Sequence, residues 1–383
     1  MAPIEFCKMQ GAGNDFIIID NRSCHIPEEK FSALAKHLCA RRTSIGADGL
    51  MMADEPRRGG DVKMSFYNSD GSKGEMCGNG ARCFGRFAYE HFAPKEEIVI
   101  EATSGDVLAW RQTGRLYKVR LNDPTVLEPQ WPVKTQDGRE LHAAYVELGD
   151  PGLPHLVVPY VGLSAMADMA AYETALFGLG RELRYHPSLP KGANVNFCQV
   201  VGPRQVLLRT YERGVEGFTL ACGTGSGSTV LALQELGLLP KEGPVTVHNP
   251  GDDLVIEVVR GEGGRAEALY LTGPTNLVAA GVILDEDLAK RVSIRNEQIE
   301  TTVVDYGNGN QILGKTNYAA LQSGAIEING HKVRTAPLSS LAKAREIADL
   351  LKSWIQKGEF LLTEPVRPMP VQASLNGLKA IED

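Results

Sequence analysis

Two cysteines in this 383-residue chain head near-matching glycine-rich strings: Cys77 opens CGNGARC and Cys222 opens CGTGSGS. A polar, strand-like approach precedes each, over residues 66–76 and 210–220. A helical pattern, a turn and an apolar strand follow each. GDVLAW begins 28 residues after Cys77, and GDDLVIEV begins 29 residues after Cys222. One unit is used twice. A duplicated unit with a cysteine at the same place in each copy implies two thiols facing each other across a pseudo-twofold cleft. Two facing acid/base groups are what inversion at a carbon centre requires. One takes a proton from one face while the other gives a proton to the opposite face.

The repeat sets the fold class. In the first copy, apolar runs at 16–19, 62–67, 98–100 and 107–110 read as strands, and 31–40 and 84–92 read as helices. In the second copy, 145–148, 155–160, 196–201 and 206–211 read as strands, and 165–179 and 229–237 as helices, the last stopped by Gly237. Residues 122–137, rich in proline and polar groups, read as a connector. Many short strands with few helices per copy predict an α+β fold of two pseudo-symmetric α/β halves around a central cleft. The predicted division is 1–130, 131–285 and a non-repeating C-terminal appendage, 286–383. Within that appendage 311–329 reads as irregular strands. Residues 341–357 place Leu341, Ala344, Ala348, Leu351 and Ile355 on one face of a helix. The stretch after Pro365 reads as loose.

The residues around the cysteines define the chemistry available. A thiol acts as a base only as thiolate, and a helix N-terminus stabilises that anion. Gly78, Asn79 and Gly80, and Gly223, Thr224 and Gly225, can both tune the thiols and hold a carboxylate at two opposed helix ends. One such string alone would be an ordinary turn with an inert cysteine; its repetition favours function. Asn14, Asn68, Asn79 and Asn194 stand in turn-like contexts, where asparagine either binds amine and carboxylate groups or merely tolerates a left-handed backbone. Glu212 and Arg213 form a charged pair just before the second string, facing either a substrate or solvent. His155 opens an apolar strand, where a histidine is more often structural than catalytic. Its place in the second copy resembles that of Asn14 in the first, which favours a position lining the cleft.

Other chemistries find little support. A net charge of −7 without a basic block points away from nucleic acid and anionic membranes. No apolar run approaches the ~18 residues of a membrane span, and residues 1–10 lack the apolar core of an export signal. Seven scattered cysteines fit reduced thiols in a cytoplasmic protein. No metal-ligand spacing, Walker loop or dinucleotide fingerprint is present, so neither a metal nor an organic cofactor is expected.

Eight segments in order across residues 1–285 resemble one family. KMQGAGNDF (8–16), GADGL (46–50), YNSDGS (67–72) and CGNGARC (77–83) come from the first copy. GANVNF (192–197), YERGVEG (211–217), ACGTGSG (221–227) and LTGP (271–274) come from the second. Together they are similar to the diaminopimelate epimerases. The resemblance implies an isomerase of lysine biosynthesis that interconverts LL- and meso-diaminopimelate without pyridoxal phosphate or metal. It implies Cys77 and Cys222 as the two bases, one thiolate and one thiol at the start of a turnover. Gly78, Asn79, Gly223 and Thr224 would grip the reacting carboxylate. Asn14, Asn68, Asn194, Glu212 and Arg213 would bind the distal or reacting end, and His155 and Glu212 would lie near the reacting centre.

Three departures from the family pattern stand out. GDPGLPH (149–155) is longer than the usual Gly-Asn-Pro-His or Gly-Val-Pro-His before the second-half strand. Phe218 stands where the family often has glutamate, and is expected to alter the pocket edge or the loop packing. Residues 332–366 resemble the closing segment of proteins assigned to homocysteine biosynthesis, and a docking or stabilising role is expected for them. Two alternatives stay open: a racemase of another amino acid on the same scaffold, and a non-catalytic amino-acid-binding protein. In each case the partner is a small amino acid. The apolar tail helix makes a homodimer conceivable.

Overall fold

The computed structural model describes residues 4–292 except positions 75, 76, 93, 104 and 167, and beyond them the short strands at 304–305, 311–312, 325–328 and 331–334. The helix expected at 341–357 and the segment after Pro365 lie outside the described residues.

In chain order the first elements are β1 (Glu5–Gly11), β2 (Asn14–Asp20), α1 (Asn21–Cys24), α2 (Phe31–Leu38), β3 (Gly49–Asp54), β4 (Val62–Asn68) and α3 (Gly78–His91). Then come β5 (Glu97–Ala102), β6 (Gly105–Thr113), β7 (Leu116–Arg120), β8 (Pro124–Lys134), β9 (Glu140–Leu148), β10 (Leu153–Pro159) and α4 (Met169–Arg184). They are followed by β11 (Asn194–Gly202), β12 (Gln205–Glu212), β13 (Gly217–Phe218), α5 (Gly223–Glu235), β14 (Val245–His248), β15 (Asp253–Arg260), β16 (Ala266–Pro274) and β17 (Asn276–Val282). The last are α6 (Leu288–Arg291), β18 (Val304–Asp305), β19 (Gln311–Ile312), β20 (Ala325–Ile328) and β21 (His331–Arg334). Among the described residues no helix is long and apolar enough to cross a membrane.

The chain divides into two compact units. One gathers Met1–Cys7, Ile19–His37 and the segment from Ala279 onward; the other gathers Lys8–Ile18 and Leu38–Val278. In the first unit the backbone N–H of Ile283 donates to Ile4, and His37 pairs with Asp285 at 2.8 Å. Two antiparallel pairings, β18 with β19 and β20 with β21, also belong to it.

The second unit carries the duplication. In its first copy β3 and β4 pair antiparallel, β4 and β5 parallel, and β5, β6 and β7 antiparallel in turn. In its second copy β11 and β12 pair antiparallel, β12 and β14 parallel, and β14, β15 and β16 antiparallel in turn. Each parallel pair needs a crossover, and a helix supplies it: α3 in one copy, α5 in the other. The copies meet where β7 and β16 pair antiparallel, with Tyr117 opposite Gly273.

The sequence pattern explains the two central helices. The first twelve residues of α5, GTGSGSTVLALQ, are all buried. A helix of glycine, serine, threonine and aliphatic residues can be wrapped on every side. It packs against β8, β9, β10, β11, β15 and β16. Helix α3 is similarly buried through its first turns and packs against β5, β6, β7 and β16.

Two expectations are corrected here. Residues 122–137 are largely the eleven-residue strand β8, not a connector. It pairs antiparallel with β9, and its register shifts fall between Pro124 and Val126 and between Glu128 and Trp131. Proline is tolerated in a strand at such irregularities. The second post-cysteine helix begins at Gly223, six residues before the expected Thr229. Close packing of its small residues outweighs their poor helix propensity. Gly237 does end it, at φ +70°.

Candidate active site

Cys77 and Cys222 are the N-caps of α3 and α5. Their backbones match: φ −130°, ψ 109° at Cys77 and φ −118°, ψ 112° at Cys222. The Cys77 Sγ accepts from the Gly80 N–H at 3.4 Å, and the Cys222 Sγ accepts from the Gly225 N–H at 3.3 Å. A thiol seated as an N-cap faces the positive end of its helix, which favours the thiolate.

The two helix ends abut. A Cβ added at Gly223 would stand 3.5 Å from the Gly78 Cα, and one added at Gly78 would stand 3.7 Å from the Gly223 Cα. Either would also press on the Leu271 Cδ2 methyl at 2.9 Å, so a side chain on either glycine would have to displace that leucine. The Asn79 Nδ2 crosses the junction to donate to the Ala221 carbonyl at 3.2 Å.

Burial opposes ionisation at both thiols. It pushes Cys77 up to about 11 and Cys222 up to about 12, against the hydrogen bonds from their own helices. Both thiols also feel the carboxylate of Glu212, at the end of β12, and Cys222 feels Cys77. Burial raises Glu212 above the ordinary carboxylate range. One carboxyl group therefore sits within electrostatic reach of two protonated thiols.

The remaining candidates fall into three groups. Around Cys77, Asn79 donates through Nδ2 to the Asn14 Oδ1 at 2.6 Å. Asn14 donates to Asp48, and Asp48 is held by Arg41 at 2.9 Å. The Asn79 Oδ1 is buried with no protein partner. Around Cys222, the Thr224 hydroxyl lies 3.6 Å from Sγ. The Asn194 Oδ1 accepts from the Arg213 N–H at 2.8 Å, and its Nδ2 reaches the Pro154 carbonyl at 3.4 Å. His155, fully buried on β10 beside Asn194 in register, leaves Nε2 without a protein partner. Burial, with the Arg213 charge adding, drives His155 down to about 3, so it is neutral. Asn68 stands apart: it is exposed, and its Nδ2 donates to the Ser72 Oγ inside a tight turn.

Several contributors escaped the sequence reading. Arg82 is fully buried on α3 and donates to the Gly78 carbonyl at 3.2 Å. Its charge lowers the Cys77 thiol, against the raising effect of burial. Its position five residues beyond Cys77 in CGNGARC was the available signal. Asn196 and Thr210 lie behind His155, and strand alternation from Asn194 was their only signal. Phe218 is not at a pocket edge. It is 6% exposed and packs edge-on against Tyr172 and Tyr211 in the core of the second copy. Among the described residues no three His, Cys, Asp or Glu side chains cluster as a metal site.

Comparison with known proteins decides the family. A family model described as "Diaminopimelate epimerase" matches residues 6–126 and 150–278. The chain belongs to the diaminopimelate epimerase family. The chain is 36% identical over 299 residues to a diaminopimelate epimerase of Aquifex aeolicus, covering 74% of this chain and 99% of that protein. It is 38% identical over 291 residues to that of Methanocella arvoryzae, covering 74% and 98%. Solved structures share this epimerase's fold at low identity. A Bacillus anthracis phenazine biosynthesis protein of the PhzF family aligns with TM-score 0.58 at 14% identity, covering 74% of this chain and all of that one. A probable proline racemase from Agrobacterium radiobacter aligns with TM-score 0.56 at 14% identity, covering 76% and 95%. Residues 262–362 match a second model, described as "Homocysteine biosynthesis enzyme, sulfur-incorporation". That match begins well before residue 332, inside the second epimerase copy.

Proposed function

We propose that this chain is a diaminopimelate epimerase that interconverts LL- and meso-diaminopimelate by two-base catalysis on Cys77 and Cys222, without an organic cofactor. One observation carries the reading: two cysteines cap two abutting helices in matching geometry. An inert structural cysteine has no need of a counterpart at the mirrored position.

The chemistry follows from that pairing. One sulfur, as thiolate, removes the α-proton from one face of the carbon. The other, as thiol, delivers a proton to the opposite face, and the site is left with the roles exchanged. Both thiols are held protonated when the site is empty. Glu212, coupled to both, is the proton acceptor that starts the cycle, and the incoming α-ammonium group offsets the new thiolate charge. The first-turn N–H groups of α3 and α5 hold the α-carboxylate as negative charge builds beside it. Gly78 and Gly223 allow that approach. The unpaired Asn79 Oδ1 is an acceptor suited to an ammonium group. Asn14, Asn194, Arg213 and Thr224 shape the rest of the pocket, and Asn68, which stands apart, is assigned to the distal end of the substrate.

The same reading makes residues 1–130 and 131–285 the two catalytic halves and 286–383 a docking or stabilising appendage. It puts the enzyme in lysine biosynthesis in a reducing cytoplasm. The test is incubation of the reduced protein with LL-diaminopimelate in deuterium oxide, following the α-proton signal by NMR. Loss of the signal with appearance of the meso isomer is expected. Fully reduced protein that exchanges no α-proton would overturn the reading.

A further inference from the structure

The His155 imidazole is buried on β10 with Nε2 unpartnered and Nδ1 engaged. Its Nδ1 lies 3.2 Å from the Asn196 side-chain nitrogen. Which imidazole nitrogen carries the proton depends on which way the Asn196 amide faces, and the surroundings fix that orientation. The Asn196 Nδ2 also faces two main-chain carbonyls, of Asn194 at 3.4 Å and Leu156 at 3.5 Å. An amide oxygen in that place would meet two acceptors. On the other side, the Asn196 Oδ1 accepts from the Thr210 hydroxyl at 2.9 Å. The amide nitrogen therefore donates to His155 Nδ1, and a neutral imidazole that accepts at Nδ1 carries its proton on Nε2.

This arrangement sits against the second catalytic helix. A Cβ on Gly225 would stand 2.5 Å from the Asn196 Oδ1 and 3.1 Å from the Cys222 Sγ. Asn196 is thus packed on the same turn that caps Cys222, fully buried on β11 opposite Thr210 of β12.

We infer that Asn196 is a positioning residue of the epimerase reaction, anchored by Thr210, which fixes His155 as a neutral hydrogen-bond donor through Nε2. The inference rests on the epimerase reading for its catalytic consequence. His155 is then not one of the proton-accepting bases. It offers one N–H to an acceptor atom of the substrate, a carboxylate oxygen being the natural match. That bond strengthens as charge develops beside the carboxylate. Burial reinforces the assignment, because it holds the ring neutral.

The experiment is nitrogen-15 NMR of histidine-labelled protein, with the His155 signals identified among the eight histidines by their loss in His155→Gln. The wild type should show an unprotonated Nδ1 and a protonated Nε2 at neutral pH. In Asn196→Asp the carboxylate accepts from Nδ1, so the pattern should reverse or become imidazolium, and kcat should fall on the order of a hundredfold with KM changed far less. Thr210→Val removes the anchor on Oδ1 while the two carbonyls still face Nδ2, so the tautomer should persist with a smaller loss of kcat. A wild-type signal protonated at Nδ1 overturns the proposal, as does Asn196→Asp with an unchanged His155 pattern. The wild-type spectrum needs no variant to fold. If wild-type protein shows the expected tautomer yet exchanges no diaminopimelate α-proton, the epimerase reading has failed and the tautomer assignment stands.

Discussion

The Cys77 and Cys222 half-sites share a backbone and differ in what surrounds it. Each cysteine caps its helix with nearly equal dihedrals and a sulfur–amide contact of 3.4 or 3.3 Å. Beyond the cap the copies part. The Cys77 side is backed by apolar groups: a Cβ on Gly80 would meet Met51 at 2.2 Å and Phe16 at 3.4 Å. The Cys222 side is backed by the Asn196 amide and, behind it, Thr210 and His155. Two residues past the cysteines, asparagine in one copy stands for threonine in the other. As residues, Cys77 is half-buried and Cys222 is buried. The duplication kept the capping geometry of the two thiols while their surroundings diverged.

Removing a sulfur breaks the comparison most directly. Cys77→Ala and Cys222→Ala should each lower interconversion by on the order of 10⁴-fold in both directions. Residual deuterium uptake without inversion should be confined to one isomer in one variant and to the other isomer in the second. Uptake from the same isomer in both would break the assignment of one sulfur to each face.

Glu212→Gln tests whether the halves share one carboxyl group. Its loss should slow turnover on the order of 10³-fold from either isomer. Its negative charge raises both thiols, so its removal lowers them. Alkylation of both cysteines by iodoacetamide, read by mass spectrometry at pH 8, should therefore speed up while turnover slows. In wild type and variant alike the rate should climb about tenfold per pH unit below the thiol pKa. Faster alkylation of one cysteine only would place Glu212 with that sulfur alone.

The matched glycines sharpen the contrast. Gly225→Ala drives a methyl into the Asn196 amide and the Cys222 sulfur, and should cost about 1–3 kcal/mol of stability and roughly a hundredfold in kcat. Gly80→Ala meets the flexible end of Met51 first and should cost less than about tenfold. Equal losses would mean that both caps are equally constrained. Thermal unfolding and kcat on the two variants give the comparison.

Phe218→Leu should have the smallest effect. The ring packs with Tyr172, Phe197 and Tyr211, so the change should lower stability by about 1 kcal/mol. Substrate preference between diaminopimelate and proline, measured as relative kcat/KM, should not move. A shift toward proline would revive Phe218 as a specificity residue.

Much of this molecule was legible along the chain. The repeated cysteine string, its spacing to the next strand and the apolar runs between them fixed two α/β copies and two thiols at helix starts. Such features depend on neighbours within about thirty residues, and local propensity and periodicity report them. Strand β8 was not legible, because its prolines hide it; two of the three, Pro124 and Pro129, fall at its register shifts. Phe218 read as a mark of either the pocket edge or the loop packing, and only burial decided for packing, because sequence position cannot tell which face of a two-residue strand meets the core. Asn14, Asn79, His155 and Asn194 were legible as types, but not their partners.

The residue order alone determined that two equivalent thiols exist and that each would cap a helix, since both follow from one short string written twice. Only the tertiary structure decided that Gly78 and Gly223 meet, that one carboxyl group lies within electrostatic reach of both sulfurs, and that an amide from β11 faces a histidine from β10. These are contacts between segments tens to hundreds of residues apart, made by burial and strand register, and no local pattern encodes them.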